Sequence, residues 1–449
     1  MGSHLITSPN TRIWPHSATI NKLDHLEIAG LDVCDLAKKY GTPLWLMDYA
    51  SIFQANEACK RGLEHYPGEK TILYAGKAFL CLAMCKIINQ LDMGLDVVSL
   101  GEFKTALQAN VKTQNIFLHG NNKSLKELEL AIELEQCKIV VDNMSELTLA
   151  LSISKSKQKK ARILLRIKPG IEPDTHDHIK TGQETSKFGI GLNEVNEYLS
   201  FVNANDEHLD FLGFHAHIGS QALELDVFED SIKVLGDLSL KTQSVHGLKT
   251  RLLDVGGGLG ITYIEQDKPP GLYEWSLTIA KSVQETYQKL GLDLPHLMIE
   301  PGRSIVGTAG VTIYEVGHVK RLANNSLCLA VDGGMADNPR PSTYNAKYTA
   351  QIANAMSSES AEKVSIVGKY CESGDIIVKD AGIEAGTGDL IAVFGTGAYN
   401  YSMSSNYNRT GRPACLLLKD GQADLILERE TIDDLMRQDR VPAWLEKER

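Results

Sequence analysis

Eight short runs of apolar, β-branched residues, each followed by a stretch with helical spacing, constrain this chain more than any other feature. The runs are Thr71–Ala75, Leu95–Ser99, Asn115–His119, Lys138–Asp142, Arg162–Lys168, Phe211–His217, Arg251–Val255 and His296–Glu300. Between them lie helical patterns such as Ser124–Glu135, Ser145–Ser154, Leu192–Val202, Val227–Ser239 and Ser276–Leu290. A parallel strand buried on both faces reads as a continuous apolar run. Strands and helices alternating over roughly 250 residues have the period of a (β/α)8 barrel. A doubly wound open sheet is the rival, but eight buried strands without a dinucleotide-binding fingerprint favour closure. After about residue 310 the pattern changes. Val311–Val319, Ser326–Val331, Lys363–Val367, Asp389–Phe394 and Ala414–Lys419 are strand-like, with turns and little helix between them. The expected fold class is therefore α/β: a (β/α)8 TIM barrel with a second, all-β C-terminal domain. The expected domains are 1–48, an N-terminal segment packing with the β domain; 49–310, the barrel; and 311–449, the β domain with a terminal helix.

Composition narrows the function classes. The chain has 449 residues, 46 Lys plus Arg against 57 Asp plus Glu, and a net charge of −11. That balance argues against a nucleic-acid binder or a membrane-surface protein, though not against a locally basic site for an anion. Eight cysteines without a CxxC pair are too few for a disulfide framework and fit a reducing, cytoplasmic setting. No apolar run reaches about 18 residues, so no membrane span is expected. The first ten residues lack a secretory pattern, and Ile6 breaks the myristoylation motif after Gly2.

Chemistry-bearing residues fall just past the ends of the expected strands, where barrel active sites are built. Lys77 follows the first strand beside small residues. It is either a partly desolvated amine able to form a Schiff base or a surface lysine opening the next helix. His215 and His217 share one face of the sixth strand. They could hold a metal, pack one inside and one outside, or stack on a flat ring. After the seventh strand come Gly256, Gly257 and Gly258, where backbone N–H groups can crowd around an anion without obstruction by Cβ. This is neither GxxxxGK[ST] nor GxGxxG. Glu300-Pro301-Gly302-Arg303 closes the eighth strand with a carboxylate and a guanidinium. Each feature alone has an ordinary structural explanation. Together they describe one ligand with an aldehyde, an aromatic ring, a phosphate and a protonatable ring nitrogen. Pyridoxal 5′-phosphate has all four.

With those residues in view, the chain resembles the diaminopimelate decarboxylases, members of the alanine-racemase-like (fold-type III) class of pyridoxal-phosphate enzymes. The resemblance runs in order from about Tyr40 to Leu435. It rests on Tyr74-Ala75-Gly76-Lys77-Ala78, Asp96-Val97-Val98-Ser99, Lys187-Phe188-Gly189, His217-Ile218-Gly219-Ser220-Gln221, Gly256–Gly258, Glu300–Arg303, Arg340-Pro341, Cys371–Asp375 and Gly397–Tyr399. The resemblance implies decarboxylation of meso-2,6-diaminopimelate to L-lysine and carbon dioxide, the last step of lysine biosynthesis. It implies that Lys77 bonds the cofactor aldehyde and that His217 stacks on the ring. Ser220, Gly257, Gly258, Gly302 and Arg303 then surround the cofactor, and Glu300 pairs with the pyridine nitrogen. Arg303, Arg340, Tyr344 and Glu372 hold the substrate, Tyr399 lies near phosphate and substrate, and Cys371 returns the proton. It also implies a homodimer in which Cys371 and Glu372 reach into the partner's site, and no metal. Phe79, Leu100, Thr343 and Tyr348 depart from the usual family residues. Three rivals share part of this pattern: a decarboxylase of a basic amino acid or polyamine precursor, a non-catalytic pyridoxal-phosphate carrier, and a metal-dependent barrel hydrolase using His215 and His217.

Overall fold

The structure, a computed structural model, describes residues 8–171, 186–323 and 325–446. All eight expected barrel strands form: β1 Lys70–Ala75, β2 Gly94–Val97, β3 Ile116–Leu118, β4 Lys138–Val141, β5 Ala161–Lys168, β6 Leu209–Ala216, β7 Leu252–Asp254 and β8 His296–Ile299. Each pairs in parallel with the next. β8 pairs back onto β1, with Leu297 opposite Lys70 and Met298 opposite Thr71, so the sheet closes. Closure leaves no open edge, and the interior fills with side chains. Leu73, Phe117, Val140, Leu164, Leu212 and Met298 make one apolar layer, none more than 2% exposed. Toward the C-terminal strand ends the buried residues turn polar: Asp96, His119, His215, Asp254 and Glu300. The barrel is therefore an apolar plug beneath a charged floor.

The expected helices form between the strands. Leu125–Glu133 shows why. Ser124 accepts a hydrogen bond from the Glu127 N–H while the Glu127 carboxylate accepts from the Ser124 N–H, a capping box worth about 1 kcal/mol. Glu127 also accepts from the Leu100 N–H at 2.7 Å, tying this helix to the start of Leu100–Gln108.

The chain divides into two compact units, and the expected N-terminal segment is itself divided between them. Residues 8–16 go with the barrel, whereas Ser17–Tyr49 belong to the β unit. The physical reason is visible at Asn10. Its amide is buried and donates to the Gly260 and Pro270 carbonyls of the barrel's own loops. The β unit takes Gly310–Thr396 and Met403–Arg449, but Gly397–Ser402 returns to the barrel unit. At the centre of the β unit is Leu44–Asp48, buried at all five positions. It pairs antiparallel with Gly310–Arg321 and parallel with Ala414–Lys419. Leu327–Val331, Val364–Val367 and Leu390–Phe394 form where expected. Ala350–Ile352, Ile376–Ala381 and Gln422–Leu427 are strands that the sequence pattern did not announce. Among the described residues no helix is long and apolar enough to cross a membrane.

Candidate active site

A cavity with about 630 Å³ of empty space opens at the C-terminal ends of the barrel strands. Lys77, His217 and Glu300 all line it, as expected, together with Asp96, His119 and Arg166. Lys77 sits on a short 3-10 turn, Gly76–Ala78, that follows β1 directly. A Cβ at Gly76 would come within 2.6 Å of the Asp96 carbonyl, so the lysine is presented by a turn pressed against the end of β2.

Glu300 follows β8 and is buried between two imidazoles. Its Oε1 lies 3.2 Å from His119 Nε2 and 3.1 Å from His215 Nε2. Burial disfavours its charge, but the two facing imidazoles more than compensate and hold its pKa well below the usual carboxylate range. The neighbours divide the remaining charge. Burial opposes protonation of His119, yet Glu300 and Asp96 raise its pKa to about 9. Burial lowers that of His215 to about 4, against the pull of Glu300. Burial and repulsion from Glu300 push Asp96 up to about 7. Glu300 is thus an anion at neutral pH, with His119 as its cation. His217 lies one residue beyond β6, half-buried, with Nδ1 accepting from the Gly257 N–H at 3.3 Å. Burial, Lys77 and Arg166 keep its ring neutral by lowering its pKa well below the ordinary value.

The glycine loop packs on its surroundings without room for side chains. Gly256 has φ +71° and Gly258 φ +118°. A Cβ on Gly257 would stand 1.9 Å from the Glu300 carbonyl oxygen. Gly257→Ala should therefore displace the Glu300 backbone and cost about 1–3 kcal/mol. The check is a lowered thermal midpoint together with weakened cofactor binding. Beside this loop Arg303 is buried, donating to Ser220 Oγ at 2.8 Å and to the Tyr263 hydroxyl at 2.5 Å. Its guanidinium lies 4.7 Å from the centre of the Tyr399 ring. Tyr399, at φ +63°, is held by its N–H to the Ala78 carbonyl at 2.8 Å. Gly302 is pressed against β1, since a Cβ there would come 2.9 Å from the Ala75 methyl. Among the described residues Arg303 Nε, though buried, has no hydrogen-bond partner.

These features fit pyridoxal phosphate. Glu300 Oε1 is buried without a well-aligned hydrogen bond among the described residues, and so offers an anionic acceptor for a protonated ring nitrogen. Lys77 offers the amine, and Arg303 Nε beside Ser220 and the glycine loop offers a cationic donor toward the phosphate end. The metal alternative shifts in the structure. His119, His215 and Glu300, not His217, bring ligand atoms within 4.8 Å of one another.

The remaining expected residues gather on the β unit. Arg340 opens the short helix Arg340–Tyr344, is buried, and donates to the Tyr348 hydroxyl at 2.7 Å. Tyr344 closes that helix, half-buried. Ser342 Oγ donates to the Gly374 carbonyl at 3.0 Å, tying the helix to the loop of Cys371 and Glu372. The loop is anchored by buried Asp375, which accepts from the Met335 and Tyr370 N–H groups. Cys371 and Glu372 are exposed. The Cys371 N–H donates to Asn408 Oδ1, and the Tyr407 hydroxyl donates to Glu372.

Sequence reasoning assigned no role to His119, Asp96, Arg166 or Tyr263. His119 could have been found by its place at the end of the third run, whereas Asp96 stands near the start of the second and had no such address. Arg166 is masked by the apolar strand around it. In the structure its guanidinium lies 4.7 Å from the Phe188 ring centre and 4.0 Å from Asp142.

A closed parallel barrel with a lysine after β1, an ionised carboxylate after β8 and a glycine loop after β7, carried with an all-β unit, defines a fold-type III pyridoxal-phosphate enzyme. The family model for the pyridoxal binding domain of pyridoxal-dependent decarboxylases matches residues 52–307. Diaminopimelate decarboxylase of Synechocystis sp. is 44% identical over 445 residues, spanning 97% of this chain and 94% of that protein. That of Bacillus subtilis is 42% identical over 421 residues, spanning 93% and 96%. The crystal structure of diaminopimelate decarboxylase from M. jannaschii in complex with L-lysine superposes with a TM-score of 0.89 at 32% identity, covering 98% of this chain and all of that one. The chain belongs to the diaminopimelate decarboxylase family and is a carboxy-lyase.

Proposed function

We propose that this chain uses pyridoxal phosphate to decarboxylate meso-2,6-diaminopimelate, giving L-lysine and carbon dioxide as the last step of lysine biosynthesis. The observation that carries the reaction is the lysine amine and the imidazole-clamped, ionised Glu300 in one cavity, in a chain whose full-length relatives bear that enzyme's name. The cofactor, when bound, supplies an electron sink for the pair left as the carboxylate departs. Lys77, whose amine lines the cavity, would be the residue that holds the cofactor by its aldehyde. Glu300 would keep a proton on the ring nitrogen through a charge-assisted bond, an interaction that would favour the electron-rich transition state. His217 bounds one face of the cavity as a neutral ring, and the Arg303 and Ser220 pair with the glycine loop takes the phosphate.

Substrate choice rests on the β-unit residues. Diaminopimelate carries a second amino-acid head, one carboxylate and one ammonium. Arg340 and Glu372 would supply the complementary charges. A decarboxylase of a simple diamine precursor gains nothing from Arg340, because that substrate ends in a bare cation. The test is carbon dioxide release from meso-diaminopimelate against lysine, ornithine and arginine. Arg340→Ala should cost roughly 2–5 kcal/mol in kcat/KM for meso-diaminopimelate, the scale of a broken buried charge pair. Arg340→Lys should recover only part, since an ammonium cannot copy the planar fork. A preference for ornithine, or an indifferent Arg340→Ala variant, overturns the substrate. A colourless, metal-loaded protein without yellow cofactor absorbance overturns the pyridoxal reading.

The working unit in this reading is a homodimer. Cys371 and Glu372 are both exposed in the single chain on a loop held rigid by Asp375, which suits residues donated across a subunit boundary. The eight cysteines form no disulfide among the described residues, which supports a reducing, cytoplasmic setting.

A further inference from the structure

Tyr348 has a specific neighbour in the structure, the guanidinium of Arg340. It lies eight residues after Arg340, past the short helix Arg340–Tyr344 and Asn345, whose φ of 51° turns the chain back. The two side chains meet in the interior of the β unit, Arg340 at 7% exposure and Tyr348 at 3%. Arg340 Nη1 donates to the Tyr348 hydroxyl at 2.7 Å, and the guanidinium carbon stands 5.8 Å from the ring centre. The tyrosine is itself fixed by the two residues after it. The Thr349 carbonyl accepts from the Phe394 N–H at 3.0 Å, and Ala350 pairs with Val393 in the sheet. Thr343 and Lys347, nearby in sequence, are exposed.

We infer that Tyr348 is a positioning residue for substrate selection: it fixes the plane of the Arg340 guanidinium for the distal carboxylate of the substrate. The inference rests on the proposed role of Arg340. An arginine has several rotatable bonds, and a fork that recognises a carboxylate through two parallel bonds must be held in one plane. One N–H directed to a rigid phenol sets that plane before substrate arrives, so less ordering remains to oppose binding. A packing tyrosine without this role would affect every ligand alike. A positioning tyrosine affects only ligands that carry the carboxylate.

The experiment compares wild type, Tyr348→Phe, Arg340→Ala and the double variant as cofactor-loaded full chains. Tyr348→Phe removes the hydroxyl and keeps the ring, so cofactor absorbance should be unchanged and the thermal midpoint should fall only slightly, as for one lost buried hydrogen bond. KM for meso-diaminopimelate should rise about tenfold, the loss expected when a hydrogen bond to a charged group is removed, while kcat stays within about twofold. The inhibition constant of 1,5-diaminopentane, which has no carboxylate, should not move. The double variant should be no worse than Arg340→Ala alone, because one effect acts through the other. An unchanged KM in Tyr348→Phe, an equal loss for the diamine, or additive losses in the double variant overturns the positioning role and leaves the substrate reading intact. A wild type inactive on meso-diaminopimelate, or an Arg340→Ala variant with unchanged KM, overturns the substrate reading and this inference with it.

Discussion

Lys77→Ala should abolish carbon dioxide release while the protein folds as before. The side chain is exposed within the cavity and sits on a three-residue turn, so its loss removes no core packing. Surface truncations of that kind usually change stability by no more than about 0.5 kcal/mol. The turn is shaped by Gly76 against Asp96, not by the lysine. The chemical loss is of another order. Among the described residues no other lysine lines this cavity, so under the proposed reading no second amine would take over its part. A fall of roughly 10⁴–10⁶ in kcat is the scale for removing a covalent nucleophile. Circular dichroism should be unchanged. Borohydride treatment of the cofactor-loaded wild type, followed by peptide mapping, should place the label on Lys77. Label on Lys123, Lys187 or any other lysine would refute the assignment.

Cys371→Ala should slow turnover by roughly 10²–10⁴-fold, the range for a lost proton-transfer group, with cofactor absorbance retained. Cys371 is exposed on a loop whose shape is set by Asp375 and its neighbours, so a loss of stability is not expected. A packed structural cysteine would show the opposite pattern, a lower thermal midpoint at normal rate. The solvent isotope effect on kcat should change in the variant. The proposed sharing of the site across a dimer gives a second test. Mixing Lys77→Ala with Cys371→Ala subunits should restore up to about a quarter of wild-type activity, because a two-fold dimer of one of each rebuilds one complete site. Full activity in Cys371→Ala removes the proton-donor role. Failure of the mixture to recover, with each variant shown to exchange subunits, removes the shared site.

How much of the fold was legible in the sequence depends on which interactions are local. The barrel strands are buried on both faces by the sheet's own closure and the helices around it, so each run is continuously apolar and visible in isolation. The strand Leu44–Asp48 is equally apolar, yet its partners at Gly310–Arg321 and Ala414–Lys419 are remote, and nothing near residue 44 announces them. Gln422–Leu427 has no fully buried residue, and therefore no apolar period to read. In the site, Lys77, Glu300 and the three glycines stood out because a strand end is a recognisable address and three consecutive glycines are rare in a simple turn. His119 had the same kind of address but reads singly as a packed imidazole. Its charge arises only from Glu300 and Asp96, brought in from two other strands. The division of residues 8–16 from Ser17–Tyr49 was hidden for a related reason. Asn10 finds its acceptors 250 and 260 residues away.

The central place of Leu44–Asp48 in the β unit has a consequence for how the chain is made. The strand leaves the ribosome early, and its first partner, Gly310–Arg321, emerges about 260 residues later. At usual elongation rates of 5–20 residues per second, that is a wait of roughly 10–50 s. Through that interval five side chains destined for the interior have no sheet to join, while the barrel between them can close on its own contacts. The β unit must therefore be assembled last, around a strand made first. A nascent chain interrupted anywhere before residue 310 carries Leu44–Asp48 as an unpaired, sticky edge, a ready target for chaperones or for a neighbouring nascent chain.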